Sequence, residues 1–494
     1  MRDQERVYEV IRIFTTATLT CENGGPPGGP RPRAPVGWNA RSAIRRRSPM
    51  STPSKPVRIL AAAAVAVTMS ACVGQPAPVQ ATAAAVRSAP EIPGTPAGAQ
   101  LRWLLDALSR PPVAEREISA HFTADFLKSV PATQVNQVFA TFKGLRLEQV
   151  LTSQNTSLIA LGTAGGTAFE VLVSVDGTGL MNGLRFRVPE PKSWAELDGR
   201  LSRTAARTSF LAAEVTRGGD CRPVHAVAAN EARPLGSMFK LYVLGAVAER
   251  IESGAFGWDT LLTITPELKS LPSGQLQDRP DGSKVSVLEA AKLMISISDN
   301  TATDLLVHKV GRKAVERTMH KWGNHDKRNV PSLTTRELFV LKGAEYPRHA
   351  KRYLSMSVKE RRAYLDKVVA KVPLSGIAAW TSPRELDTLE WFGSPADVCE
   401  AYAGLAGLRD KRVGEVLSIT DAGLGLDPGR WTTVWHKGGS EPGVLDMSFL
   451  ARTAKGRTYV VTSMSIDPGA PIDPQAGQEA LALARGAFTL AGGS

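Results

Sequence analysis

The sequence is poor in cysteine, and beyond residue 72 it contains no long run of basic residues. Its formal net charge is +13, but residues 1–72 hold eleven Lys and Arg against four Asp and Glu, so the rest of the chain carries only +6. So small an excess over more than 400 residues argues against a nucleic-acid partner. The length of 494 residues predicts two folded units and a processed leader.

An apolar run at residues 59–69 is too short to cross a bilayer as a helix and has the length of a signal-peptide core. The run follows Lys55 and Arg58 and leads into Met69-Ser70-Ala71-Cys72, which resembles a bacterial lipobox. We therefore expect Cys72 to be lipidated and the protein to be anchored on the outer face of the cytoplasmic membrane. The alternative is a buried Ala-rich helix that ends at a chance cysteine.

The N-terminal segments follow from this interpretation. Residues 1–49 would be a non-native leader or a misassigned start, with translation from Met50, and residues 50–72 a lipoprotein signal peptide. Residues 73–98 are rich in Pro, Gly and Ala and suit a tether.

Four cysteines occur, and two of them, Cys21 and Cys72, lie in or at the end of this leader. Cys221 and Cys399 then remain for an oxidising compartment. We expect two separate buried thiols, with a disulfide as the alternative.

Residues 99–190 predict a small α+β domain. Apolar residues recur at three and four positions between residues 100 and 144, as in short amphipathic helices. Apolar runs at 157–161, 168–175 and 179–188, separated by turn residues, then predict an antiparallel meander. The arrangement resembles nuclear-transport-factor-like or cystatin-like accessory domains. No metal-ligand cluster or phosphate loop stands out there, so we expect a packing or partner-binding role without a cofactor.

Residues 194–494 predict a second α+β domain. A helix from residue 194 leads to a strand at 210–217 and a hairpin partner at 221–229. The chain ends with strands at 431–437, 444–453 and 458–466 and a helix from about residue 474. Strands at both ends with helices between them predict one antiparallel sheet that the two ends close together.

Three short motifs lie in this second domain. Ser237 and Lys240 precede a helical stretch, at a spacing that puts both side chains on one helix face and lets the amine accept the hydroxyl proton. Ser298-Asp299-Asn300 lies between two predicted helices. Lys437-Gly438-Gly439-Ser440 ends a predicted strand. In isolation each is more often ordinary: a surface pair, a helix cap and a lysine-capped hairpin.

Together and in this order, the motifs resemble those of the serine β-lactamase and penicillin-binding-protein superfamily, most closely the class A-like enzymes. The pairing with an accessory N-terminal domain is similar to a β-lactamase-like protein of clavulanic-acid clusters. The resemblance implies that Ser237 is the acylated nucleophile, Lys240 its proton partner and Ser298 a proton shuttle to the leaving group. It also assigns substrate binding to four residues, namely Asn300, Lys437, Gly439 and Ser440.

Two departures from the family pattern affect the expected chemistry. Gly438 stands where the family usually has a Thr or Ser hydroxyl that helps to bind a substrate carboxylate. Class A enzymes also take the base for deacylation from a glutamate after Ser-Asp-Asn. The candidates Glu337 and Glu385 both fit helix capping boxes. We therefore expect slow deacylation.

The leading prediction is a lipid-anchored serine acyl-enzyme hydrolase for a small β-lactam, ester or peptide substrate, with no cofactor. The alternatives are a sensor that a β-lactam acylates once without efficient turnover, and an inactive scaffold. The scaffold is disfavoured because all three motifs keep their ionisable residues.

Overall fold

A computed structural model describes residues 90–473 and 476–492. The predicted leader, the signal peptide and the lipobox at Cys72 lie outside these residues. Among the helices of the described ranges, none combines the length and the apolar character needed to span a membrane.

The N-terminal domain consists of four helices followed by four strands. They are α1 (Pro96–Ser109), α2 (Glu115–His121), α3 (Ala124–Ser129), α4 (Ala132–Thr141), β1 (Arg146–Ser153), β2 (Ser157–Ala164), β3 (Thr167–Val175) and β4 (Met181–Arg187). The strands form an antiparallel sheet in sequence order. Helix α1 begins at Pro96 with Thr95 as its cap, so residues 96–98 belong to this helix and not to the predicted tether.

Alternating side chains hold this meander against the helices. On β3, Val171, Val173 and Val175 point to one face and are buried, because successive strand residues face opposite sides. They share a core with Leu104 of α1 and Phe139 of α4. Strand β1, whose residues are mostly exposed, was not among the predicted strands.

The C-terminal domain surrounds one five-stranded antiparallel sheet. Its helices are α5 (Trp194–Leu201), α6 (Lys240–Glu252), α7 (Val287–Ser296), α8 (Asn300–Val310), α9 (Arg312–Lys321), α10 (Thr335–Gly343), α11 (Arg348–Leu354), α12 (Val358–Lys367), α13 (Pro395–Ala406), α14 (Lys411–Leu417) and α15 (Ala476–Gly492). Its strands are β5 (Arg207–Val215), β6 (Cys221–Val227), β7 (Arg233–Pro234), β8 (Leu261–Thr263), β9 (Lys284–Ser286), β10 (Phe392–Gly393), β11 (Trp431–Glu441), β12 (Val444–Thr453) and β13 (Thr458–Ile466).

The sheet order is β11-β12-β13-β5-β6, so the last strand of the chain pairs with the first strand of this domain. Every residue of β13 is buried, because helices cover both faces of the sheet. The predicted closure of the two ends into one sheet, and the α+β class, are confirmed. Strand β11 runs on to Glu441, beyond the predicted residue 437, and places the Lys437–Ser440 motif inside the strand.

Cys221 and Cys399 form a disulfide, so the preference for two separate thiols was wrong. Cys221 opens β6 and Cys399 lies on α13, which packs on this part of the sheet. The Cα atoms are 6.2 Å apart, within the range that a disulfide spans. The sequence separation of 178 residues hid this proximity.

Candidate active site

Ser237 lies in a tight 3-10 turn, Gly236–Phe239, that runs directly into α6. The turn is fixed from behind by the short β7–β10 pairing, where the Leu235 amide donates to the Trp391 carbonyl at 2.7 Å. The rings of Phe239 and Trp391 stack with centroids 3.7 Å apart. Ser237 is half-buried and lies at the N-terminal end of α6, where free backbone N–H groups favour negative charge.

Lys240 is completely buried at the first residue of α6. Its Nζ donates to the Ser298 carbonyl at 2.6 Å, to Asn300 Oδ1 at 2.7 Å and to Ser298 Oγ at 2.9 Å. All three partners belong to the second motif, and in the described structure Ser237 is not one of them. Burial, and next the charge of Lys437, lower the pKa of Lys240 well below its usual value.

Lys437 approaches the same hydroxyl from β11. Its Nζ donates to Ser298 Oγ at 3.1 Å and to the Gly438 carbonyl at 2.8 Å. The side chain is almost fully buried, and this burial lowers the pKa of Lys437 to about 7. The Ser298 hydroxyl therefore bridges two buried amines, one from α6 and one from β11.

The backbone holds Ser298 in an uncommon conformation. Its φ is +58°, in the left-handed region that few non-glycine residues adopt. The carbonyl of Ser298 accepts from Ser273 Oγ at 3.0 Å as well as from Lys240. Such strain persists only where surrounding contacts enforce it, and it is found most often at functional sites.

Asp299 and Asn300 organise the loop that faces the motif. Asp299 caps α8 by accepting from the Ala302 amide, and its other oxygen accepts from the amides of Gln275 and Leu276. Asn300 Nδ2 donates to the Leu271 carbonyl at 2.9 Å while Oδ1 binds Lys240. The Asn300 amide thus orients Lys240, and its predicted contact with a substrate stays a prediction.

The loop of residues 270–276 also faces the site, and no motif in the sequence predicted this, because the loop carries no charged residue. It contributes backbone carbonyls and amides together with the Ser273 hydroxyl. In the sequence this loop is visible only as a polar stretch between β8 and β9.

Two glycines let β11 lie against the turn that carries Ser237. A Cβ atom at Gly439 would lie 2.9 Å from the Ser237 nitrogen, and one at Gly236 would lie 3.2 Å from the Ser440 nitrogen. Gly236 also has φ +46°, which favours glycine. The backbones that carry Ser237 and Ser440 are thereby brought together, as a pair of oxyanion donors requires.

The two candidate glutamates lie in different local structures. Glu337 completes the predicted capping box with Thr334, and Arg312 binds both of its oxygens at 2.6 and 2.8 Å. Glu385 caps no helix, so that prediction was wrong. It lies in a turn at φ +52°, where its carboxylate accepts from Thr388 Oγ1 at 2.6 Å.

Comparison with known proteins agrees with this geometry. Residues 194–376 match the sequence model of the "Beta-lactamase enzyme family". Part of the C-terminal domain is therefore similar in sequence to the serine β-lactamase-like superfamily. Residues 92–181 match a second model, described as "ORF 12 gene product N-terminal". No curated protein matches the chain.

Several solved structures are similar to the chain over part of its length. The structure of PBP-A has 19% identity and a TM-score of 0.41, over 62% of this chain and 99% of that one. A β-lactamase from Sphaerobacter thermophilus has 19% identity and a TM-score of 0.43, over 61% and 98%. A class A β-lactamase from Mycobacterium abscessus has 16% identity and a TM-score of 0.40, over 61% and 99%.

Proposed function

We propose that the protein is a serine acyl-enzyme hydrolase that opens small β-lactams, or cleaves related esters, through Ser237. One observation carries the proposal. Ser298 Oγ lies 2.9 Å from Lys240 Nζ and 3.1 Å from Lys437 Nζ, so three motifs spread over 200 residues of sequence meet at one hydroxyl. A chance helix cap or a lysine-capped hairpin gives no reason for such convergence.

Acylation requires a base for the Ser237 proton. The depressed pKa of Lys240 favours its neutral amine. In that form its two N–H groups can donate to the Ser298 carbonyl and to Asn300 Oδ1, which only accept. Its contact with Ser298 Oγ is then one in which the amine accepts, so its lone pair is available for a hydroxyl proton. Ser237 Oγ would bond to the substrate carbonyl carbon while its proton passes to Lys240.

Collapse of the tetrahedral adduct then breaks the acyl C–N or C–O bond. The leaving atom would take a proton through Ser298 Oγ, which both amines contact. The N–H groups of Ser237 and Ser440 would stabilise the oxyanion. Lys437 would attract a substrate carboxylate, and Gly438 adds no hydroxyl to that contact.

Deacylation is expected to be slow. A positioned base for water contributes typically about 10²–10⁴-fold in rate. Glu337 is held by Arg312 and a helix cap, which leaves it poorly suited to this role. The same feature favours the second candidate, a sensor that stays acylated.

The test is to mix the purified protein with a chromogenic β-lactam and with a short acyl ester. We expect a burst of product, a slow steady state and a persistent adduct in intact-mass spectra. Ser237→Ala should remove both burst and adduct. Labelling of Ser298 or Ser440 instead would disprove the assignment. An adduct without any steady-state turnover would favour the sensor.

A further inference from the structure

A buried cluster of charges lies at the end of β11, next to the proposed active site. Its centre is Lys342, a completely buried residue of α10 that belongs to none of the three motifs. Lys342 Nζ contacts Glu390 Oε1 at 2.5 Å and Glu441 Oε1 at 2.7 Å. One ammonium therefore joins three segments that are distant in sequence.

The two glutamates are connected to the two backbone segments that carry Ser440 and Ser237, whose N–H groups form the proposed oxyanion site. Glu441 directly follows Ser440 on β11. Glu390 directly precedes Trp391, whose carbonyl accepts from the Leu235 amide two residues before Ser237. The Glu441 carboxylate thus belongs to the residue next to Ser440. The Glu390 carboxylate belongs to the residue next to Trp391, whose carbonyl is hydrogen-bonded to the backbone that leads into Ser237.

We propose that Lys342 is a positioning residue, whose ammonium holds the Ser440 strand and the support of the Ser237 turn at the spacing that acylation requires. The inference rests on the proposed function. It concerns a residue that would touch neither the substrate nor the reacting atoms.

The cost of burying this cluster supports a positioning role. A third carboxyl, that of Asp446, is buried opposite Gly439 across the β11–β12 pairing, and burial, Glu390 and Glu441 raise its pKa. Burial and then Glu390 also raise the pKa of Glu441. One oxygen of Glu390 and one of Asp446 are buried without a hydrogen-bond partner among the described residues. Such pairs contribute little net stability because desolvation offsets their attraction, so structural specificity explains the arrangement better.

Helix α10 also connects the cluster to the second motif. Asp304, on the helix that starts at Asn300, accepts from the backbone amides of Thr335 and Arg336 at the start of α10. Helix α10 therefore contacts α8, the helix that starts at Asn300, through its first residues. Near its last residues, α10 contacts β11, the strand that carries Ser440. Helix α10 can therefore fix the distance between α8 and β11, whose relative positions matter for the reaction at a scale of about 1 Å.

The test uses Lys342→Met, which removes the ammonium and keeps most of the side-chain length, and Glu441→Gln, which keeps the shape. Glu337→Gln is the matched control, since it breaks another ion pair of α10, the partly buried pair with Arg312. The appearance of the benzylpenicillin adduct is followed by intact mass over a concentration series, which separates the acylation rate constant from the dissociation constant of the initial complex.

For Lys342→Met we expect the acylation rate constant to fall by up to about 100-fold, as a misplacement of about 1 Å caused far from the chemistry can produce, with the dissociation constant within about threefold of wild type. Glu441→Gln should show a smaller fall in the same constant, and Glu337→Gln little change. Equal loss in Glu337→Gln, or wild-type rates in both cluster variants, would overturn the proposal. Should Lys342→Met not fold, Glu441→Gln decides.

Backbone amide exchange gives a readout that does not need acylation. Positioning predicts faster exchange in Glu441→Gln at the end of β11 and in the Ser237 turn, with the sheet centre unchanged. If wild type forms no adduct, the proposed function fails, while localised exchange would still support the positioning role and unchanged exchange would refute it.

Discussion

Raising the pH from 6 to 8.5 should selectively weaken reaction with substrates that carry a carboxylate. Burial lowers the pKa of Lys437 to about 7, so its ammonium is the minority form at the upper pH. The charged fraction falls from about nine-tenths to about one-thirtieth, a change of about 30-fold for any interaction that needs the charge. The sign follows because a lysine loses its charge as the pH rises through its pKa.

The assay compares a penicillin with its methyl ester. The value of kcat/KM, which reports groups of the free enzyme, should fall for the carboxylate substrate relative to the ester by about 30-fold between pH 6 and 8.5. Taking the ratio cancels effects of Lys240 and Ser298 that both substrates share. A ratio that stays constant would show that Lys437 does not bind the carboxylate.

Three further expectations concern other parts of the chain. Glu337→Gln should leave the slow steady state of β-lactam turnover nearly unchanged, and a collapse of a fast steady state would identify Glu337 as the base. Reducing the Cys221–Cys399 disulfide should lower the free energy of unfolding by up to about 5 kcal/mol in the chain-entropy treatment of a loop of 178 residues, measured by urea titration with and without reductant. An unchanged midpoint would contradict this. Cys72→Ala should move the protein from the detergent phase to the aqueous phase, and equal partitioning would end the lipoprotein proposal.

Local patterns predicted local structure well. The strands expected at 444–453 and 458–466 have those bounds, because runs rich in apolar residues and the turn between them act over a few positions. The capping box at Thr334 formed for the same reason. Glu385 shows the limit of such patterns. Leu386, the next residue, is buried against Val444 and Ile466, and this tertiary contact accompanies a turn where the capping pattern favoured a helix.

That the three motifs meet could be predicted because family resemblance supplies long-range information that spacing alone lacks. Nothing comparable marked the Lys342 cluster. Lys342 is separated from Glu390 by 48 residues and from Glu441 by 99, and each looks like an ordinary surface charge in its own segment. Only the folding of α10 against the end of β11 buries them. Burial is what turns these charges from weakly interacting surface groups into a restraint on the backbone, since their attraction strengthens as water is excluded. The residues that set the geometry of this site can therefore be less visible in the sequence than those that would perform its chemistry.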